Sequence, residues 1–193
     1  KAIRRQRQMC IRDRIYLVGG IVRDIFLGRN SADIDIVLEG DCQEFAACVI
    51  PKFPVSKHRF TERFMTYNIF TKTGTNIDIA SFREERYEYP GALPSVVPSS
   101  IENDYRRRDF SINAMYISFD DKTELYDPVN AINDLKNKII RIIHDKSFED
   151  DPTRIFRAVK FAARYNFSFD ENTEKLLLEA VEKNYLSTIS NMR

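Results

Sequence analysis

The sequence predicts an α+β fold to about residue 142 followed by a helical segment, and three observations predict it. Asp33 to Leu38 and Asn76 to Phe82 alternate polar and apolar residues with the period of two that a half-buried strand requires. The apolar run IYLV, Ile15 to Val18, is stopped by Gly19-Gly20, and IVRDIFLGR then places Ile21, Ile25 and Phe26 on one helical face with Gly28 as the stop. From Asp151 the period changes, and Ile155, Phe156, Val159, Phe161 and Ala162 recur at helical spacing.

In order, the chain reads as strand, glycine turn, helix, and then the strand DIDIVL with acids on one face and Ile34 and Ile36 on the other. A helix is expected from Glu44 to Ile50. Phe64 to Thr71 and Asn76 to Phe82 flank Lys72-Thr73-Gly74-Thr75 and read as a hairpin. REERYEYPGALPSVVPSS carries three prolines and a glycine, which predicts a long loop, ordered or mobile, in which PGALP is a surface connection or a moving element. Ser99 or Ser100 caps a helix through IENDYRRRD. MYISF, the turn Asp120-Asp121-Lys122 and ELYDP suggest a second hairpin, and Ile139 to Ile143 is a further apolar run. Asp151-Pro152 opens a helix as acid cap and first-turn proline, and Thr173 to Val181 adds another. The division expected is a basic leader at 1–14, a mixed domain at 15–142 and a helical segment at 143–193.

Composition narrows the function classes. The 193 residues carry 30 Lys+Arg and 29 Asp+Glu, a net of +1, with 43% hydrophobic residues, which is ordinary for a globular protein. Residues 1–14 hold six basic residues against Asp13 alone, a leader, a non-native scar or a basic arm, so the remaining 179 net −4. Anionic partners must therefore be met by local placement of charge rather than by bulk attraction. Cys10, Cys42 and Cys48 follow no metal-ligand spacing, which with two histidines argues against zinc and for a reducing, cytoplasmic compartment. No apolar run approaches a membrane span, so no membrane partner is expected.

The chemistry lies in the acids. On a strand, residues i and i+2 point the same way, so Asp33 and Asp35 are forced together, and a divalent cation relieves their repulsion. Magnesium takes hard oxygen ligands and keeps positions for phosphate oxygens. Asp78, on another strand, is the candidate third carboxylate of a two-metal site. Gly19-Gly20 before a helix allows close backbone approach to an anion, and Arg23 lies one turn in. In DDPTRIFRAVK, Asp151, Arg154, Arg157 and Lys160 follow at intervals of three and share roughly one stripe. Taken alone, that stripe also suits a cap and an ion-paired surface, and Arg106 to Arg108 also suit a solvated basic face.

LVGGIVRDIFLGRNSADIDIVLEG, IDIASFREERYEYPGALP, SSIENDYRRRDFSINAM and SFEDDPTRIFRAVKFAAR together resemble the head and neck of the bacterial tRNA nucleotidyltransferases and poly(A) polymerases, the class II branch of the polymerase-β superfamily. The resemblance runs over about residues 15–193. It implies a head with a mixed or antiparallel sheet flanked by helices at 15–142 and the start of a helical neck at 143–193. It implies magnesium on Asp33 and Asp35 with Asp78 beside them, and a triphosphate held by Gly19, Gly20 and Arg23. Arg108 and Asp109 match the family's Arg-Arg-Asp motif and should contact the nucleotide sugar or phosphate, with Asn113 supporting the turn. Asp151 and Arg154 would read the Watson–Crick edge of C or A, with Arg157 and Lys160 further along toward the base or phosphates. Asp150 stands where many members have Glu, and Lys160 where Arg is common. The expected reaction adds C and A from CTP and ATP to the 3′ end of tRNA, with no stable protein partner. Poly(A) synthesis, partial CCA addition and binding without turnover are the rival readings, and transfer to a protein or antibiotic is disfavoured by the DDPTR segment.

Overall fold

The structure, a computed structural model, describes residues 14–119 and 122–189, so the basic leader up to residue 13 and the turn residues Asp120 and Asp121 lie outside the described residues. The chain forms two compact units. The first holds the described residues to Glu84 with Val96–Asp104 and Met115–Tyr126, and the second holds Glu85–Ser95, Tyr105–Ala114 and the chain from Asp127 onward. The first compact unit thus closes at Tyr126, with two excursions of the second unit before it. The excursions belong to the second unit because Glu85, Arg107, Asp109 and Ser111 spend their hydrogen bonds there.

The first unit is built on a seven-stranded mixed sheet. Its strands are β1 (Ile15–Val18), β2 (Asp33–Leu38), β3 (Val55–Thr61), β4 (Thr66–Thr71), β5 (Asn76–Ser81), β8 (Tyr116–Ser118) and β9 (Leu125–Tyr126), in the order β3-β4-β5-β2-β1-β8-β9. Only β2 and β5 run parallel, and every other neighbouring pair is antiparallel. The helix α1 (Gly20–Phe26) follows β1, and α2 (Cys42–Val49) follows β2, capped by the Asp41 carboxylate, which accepts from the Gln43 N–H at 2.7 Å. One sheet face buries Leu38, Ile69, Ile77 and Ile79 against Cys42 and Ala46 of α2, with Ile34 and Ile36 beside them. At its other end the opposite face packs Tyr16, Phe82 and Tyr116 as an aromatic cluster with centroids 5.6 to 6.3 Å apart. The Tyr116 hydroxyl donates to buried Asp104 at 2.8 Å.

Three sequence expectations change here. In α1 the buried residues are Val22, Arg23 and Asp24, whereas Ile25 and Phe26 are about half exposed, so the apolar face expected from Ile21, Ile25 and Phe26 is not the packed one. The Arg23–Asp24 ion pair neutralises the two charges and lets them take the inner side. The segment expected as loop forms a two-stranded ribbon, β6 (Arg83–Arg86) with β7 (Ser95–Pro98), apart from the main sheet. Its prolines keep it out of a central strand, but they permit a ribbon. The helix expected through IENDYRRRD is only α3 (Ile101–Asp104) plus a 3₁₀ turn at Tyr105–Arg107.

The second unit is mainly helical: α4 (Ala131–Asn137), α5 (Ser147–Asp150), α6 (Thr153–Tyr165) and α7 (Glu171–Glu182), with the short parallel pair β10 (Ile139–Ile140) and β11 (Ser168–Phe169). Its core is Phe110, Ile112, Ile140, Phe148, Ile155, Ala158 and Phe161. In α6 the buried stripe is Ile155, Ala158, Phe161 and Tyr165, while Phe156 and Val159 of the expected apolar set face solvent. Buried Asp134 accepts from Ser111 Oγ at 2.6 Å and pairs with Arg141 at 3.1 Å, and Arg141 reaches Asp170 at 2.8 Å. Within the PGALP segment, Gly91 has a φ of 78° and lies directly against Thr188 of the 3₁₀ turn Tyr185–Thr188.

A side chain at Gly91 would suffer twice, from the left-handed backbone and from a Cβ placed 2.8 Å from the Thr188 carbonyl oxygen. Gly91→Ala is expected to cost about 1–3 kcal/mol, lowering the thermal midpoint by roughly 2–10 °C for a chain of this size. Differential scanning calorimetry checks this, and an unchanged midpoint would contradict the packing of Gly91 on Thr188.

Candidate functional site

The predicted site residues fall in both units, and each group is described by itself. In the first unit, β2 pairs with β5 so that Asp35 stands opposite Asp78 and Asp33 opposite Asn76. Cross-strand partners and i, i+2 neighbours share a face, so all three carboxylates lie on the side away from the isoleucine core. Asp33 and Asp78 are exposed and Asp35 is half-buried. Two amides orient this face: Asn68 Nδ2 donates to Asp78 Oδ1 at 2.7 Å, and Asn76 Nδ2 donates to Asp33 Oδ1 at 2.9 Å. Neither asparagine was singled out in the sequence, although Asn76 lies two residues before Asp78 on the same strand.

Among the described residues no group of three or more acidic, histidine or cysteine side chains converges tightly enough to enclose a metal by itself. The donors are nonetheless hard carboxylate oxygens on an open face. That suits magnesium, which uses one or two protein carboxylates and completes its shell with water and phosphate oxygens.

At the glycine turn, Gly19 has φ 74° and ψ −136°, backbone values open to glycine, and this turns the chain from β1 into α1. The Arg23 guanidinium folds back to 3.4 Å from the position a Gly20 Cβ would take. The structure thus brings Gly20 and Arg23 together, but Arg23 is buried and paired with Asp24 at 2.8 Å.

In the second unit, the expected stripe Asp151, Arg154, Arg157 and Lys160 does not form. A row at intervals of three precesses by about 60° per step on a helix of 3.6 residues per turn. Arg154 is therefore buried at 4% exposure, Arg157 is half exposed and Lys160 is exposed. Asp151 stands off the helix, where its carboxylate accepts from Thr153 N at 3.1 Å and Thr153 Oγ1 at 2.7 Å.

Arg154 donates to Ser147 Oγ at 2.7 Å and to the Arg107 carbonyl at 2.5 Å. Arg107 in turn donates to Glu85 at 3.0 Å, and Glu85 also accepts from the Tyr87 hydroxyl at 2.8 Å. Burial and the Glu85 charge push the Tyr87 phenol well above its ordinary range. Arg108 is half-buried beside this chain of bonds.

Asp109 is buried and fully occupied: Oδ1 accepts from Phe110 N at 2.8 Å and from Asn113 Nδ2 at 3.0 Å, and Oδ2 accepts from Arg157. Burial alone would raise its pKa, but the Arg157 charge and the Asn113 amide outweigh it and hold the carboxyl below the usual range. The His144 pKa is also lowered, here by burial and by the charge of Arg154, despite Asp150 at 3.9 Å.

A strand, a glycine turn, a helix and a strand bearing paired aspartates, joined to an Arg-Arg-Asp segment, match the model of the poly A polymerase head domain over residues 15–141. The chain belongs to the poly A polymerase head-domain family. It is 46% identical over 171 residues to the A-adding tRNA nucleotidyltransferase of Aquifex aeolicus, covering 87% of this chain and 20% of that protein. Similar solved structures include an apo CCA-adding enzyme, TM-score 0.83 at 44% identity over 93% of this chain and 43% of that one. The Thermotoga maritima CCA-adding enzyme complexed with tRNA matches at TM-score 0.78 and 42% identity, over 93% of this chain and 40% of that one. More distant relatives bear other names, a CC-adding enzyme of Deinococcus radiodurans at 36% over 77% of this chain and 40% of that protein, and a CCA-adding enzyme of Alteromonas mediterranea at 33% over 93% and 44%. This head-domain chain spans about a fifth to two fifths of the length of the curated relatives it matches. No helix among its described residues is long and apolar enough to cross a membrane.

The Asp109–Arg157 pair makes a pH prediction for this family member. Because the folded-state pKa of Asp109 lies below its unfolded value, its contribution to stability is present above pH ~4 and is lost as pH falls through the folded pKa. Arg157→Gln removes the counter-charge, so the stability gap between wild type and variant should be full at pH 7 and close below pH ~4. Urea unfolding across that range measures it, and a gap independent of pH would contradict the pairing.

Proposed function

We propose that the protein transfers nucleotides from CTP and ATP to the 3′ end of tRNA in the cytoplasm, with pyrophosphate as the leaving group. The row that sets Asp35 opposite Asp78, with Asp33 on the same face, carries this reading in a chain of this family. The names of its relatives support the substrate class.

Nucleotidyltransferases of this type generally use a divalent metal. Magnesium would be held by Asp33 and Asp35, with Asp78 completing the carboxylate set. Bound there, two ions would lower the pKa of the attacking hydroxyl and steady the leaving pyrophosphate. The chain's own groups do the positioning. Asn68 and Asn76 each hold one carboxylate oxygen, so Asp78 and Asp33 keep their orientation while the other oxygen remains available. The Gly19-Gly20 backbone and Arg23 take the triphosphate, and the Asp24 partner keeps the Arg23 guanidinium in place.

In the helical unit, Asp151 and Arg154 read the Watson–Crick edge of the base. The bonds from Arg154 to Ser147 and to the Arg107 carbonyl support this role, because a protein template must be rigid to discriminate. Arg108 contacts the nucleotide sugar or phosphate. Asp109 and Asn113 act by holding Arg157, with Lys160 beyond it toward the phosphates.

Sequencing RNA 3′ ends after incubation of the full-length protein with tRNA lacking its CCA end, CTP, ATP and magnesium tests the reaction. C and A addition is expected, and none from wild-type protein would overturn the reading. Asp33→Ala or Asp35→Ala should lower the rate on the order of 10³-fold or more with the fold intact by circular dichroism. A second reading, addition of the terminal A alone, is favoured by relatives named A-adding at 46, 40 and 42% identity. It predicts extension only of tRNA that already ends in CC.

Arg154→Ala should relax selection for C and A over U and G by about tenfold or more, the worth of one or two hydrogen bonds to a charged group. A nucleotide-competition assay with unchanged preference would remove the template role.

A further inference from the structure

The proposed reaction uses the middle strands of the polar sheet face, and the edge of that face carries the opposite charge. Residues 51–75 hold Lys52, Lys57, Arg59, Arg63 and Lys72 against Glu62 alone, a net of +4 in a chain whose total is +1. Strand register carries part of this excess onto the face of the carboxylates. Arg59 pairs with Asn68, Asn68 with Asp78 and Asp78 with Asp35, one row across β3, β4, β5 and β2. Lys57, Phe70, Asn76 and Asp33 form the next row. Paired residues point to the same side, so both rows lie opposite the isoleucine core. Lys57 and Arg59 are exposed, and the Phe70 ring is 39% exposed between Lys57 and Asn76.

We propose that this edge is a track for the RNA strand whose 3′ end is extended: Lys57 and Arg59 take backbone phosphates, Phe70 stacks a base, and the strand runs inward to the carboxylates. Cations flanking an exposed ring are the combination that grips single-stranded nucleic acid without reading sequence. Three strand spacings of about 4.8 Å put Arg59 about 14 Å from Asp35, a reach that suits successive nucleotides of a strand better than the triphosphate of one. The proposal rests on the nucleotidyl transfer proposed above, and it assigns a partner surface to side chains outside the nucleotide site.

The test uses the full-length protein, tRNA lacking its terminal nucleotides, and the variants K57A/R59A, F70A and K57R/R59K. In K57A/R59A the KM for tRNA should rise about tenfold or more at saturating ATP, while the KM for ATP stays within about twofold. The log–log salt dependence of tRNA binding should become shallower by about 1.4, the loss of two single-strand phosphate contacts. F70A should raise the KM for tRNA about fivefold or more and leave the salt slope unchanged. K57R/R59K should restore both the KM and the slope. A wild-type KM for tRNA and a wild-type slope in K57A/R59A would overturn the track, as would a rise confined to the KM for ATP, which would assign the cations to the triphosphate. Wild-type protein that transfers no nucleotide would instead sink the reaction itself, an outcome visible before any variant is made.

Discussion

The parallel register of β2 on β5 is the constraint on which the sheet and its candidate chemistry both depend. It sets Ile34 beside Ile77 and Ile36 beside Ile79 on one face, and Asp35 beside Asp78 on the other. A slip of one residue would turn Asp33 and Asp35 into the space that Leu38, Ile69 and Cys42 fill. Even after relaxation, burying a carboxylate costs several kcal/mol, while the isoleucines thrown outward would each forfeit roughly 1.5–3 kcal/mol of burial. The hydrophobic effect thus fixes the positions of the carboxylates to within one residue. Asn68 and Asn76 need only settle the side-chain torsions that the register leaves open.

In the helical unit the corresponding work falls to buried arginine. Arg154 spends donors on Ser147 Oγ and on the Arg107 carbonyl, joining α5, α6 and the 3₁₀ turn that precedes Asp109. Arg157 reaches the same segment from the next turn of α6 through the Asp109 carboxylate. A guanidinium presents five N–H groups in a fixed plane, so one side chain can satisfy a carbonyl and a hydroxyl together and still fix its own orientation. The template role proposed for Arg154 requires such rigidity, which the same bonds supply to a residue at 4% exposure.

The strands and the carboxylates were legible because period-two alternation is a local property: Asp35 and Asp78 each sit between isoleucines, and Asp33 between Ala32 and Ile34. Their partners were not, because the β2–β5 pairing spans more than thirty intervening residues, helix α2 and strands β3 and β4 among them, and no local pattern records it. The face of α1 was misread for a different reason: hydrophobicity assigns charge outward, but Arg23 and Asp24 neutralise each other and pack inward, leaving Ile25 and Phe26 half exposed. The α6 stripe failed by geometry, since the two steps of three residues from Arg154 to Lys160 turn through about 120° and carry Lys160 away from the buried side that holds Arg154. β3 escaped notice because VSKHRFT, as an edge strand, is polar toward both faces.

The sign of that edge strand is the remaining point. Sheets commonly place charges on edge strands to prevent pairing with another sheet, and either sign serves that purpose. Attraction to the carboxylates does not select the sign either. Arg59 lies two strand spacings from Asp78 and three from Asp35, about 10 and 14 Å, beyond the ~8 Å over which exposed charges interact at physiological salt. A five-to-one excess of basic residues across 51–75, with an exposed phenylalanine set between Lys57 and Asn76, therefore has no sufficient cause in the fold. The RNA strand proposed for that edge supplies one, and it reconciles a chain of net charge +1 with the polyanionic partner proposed for it. Carboxylates hold the centre of the sheet face, cations hold its rim, and the two cancel only in the total.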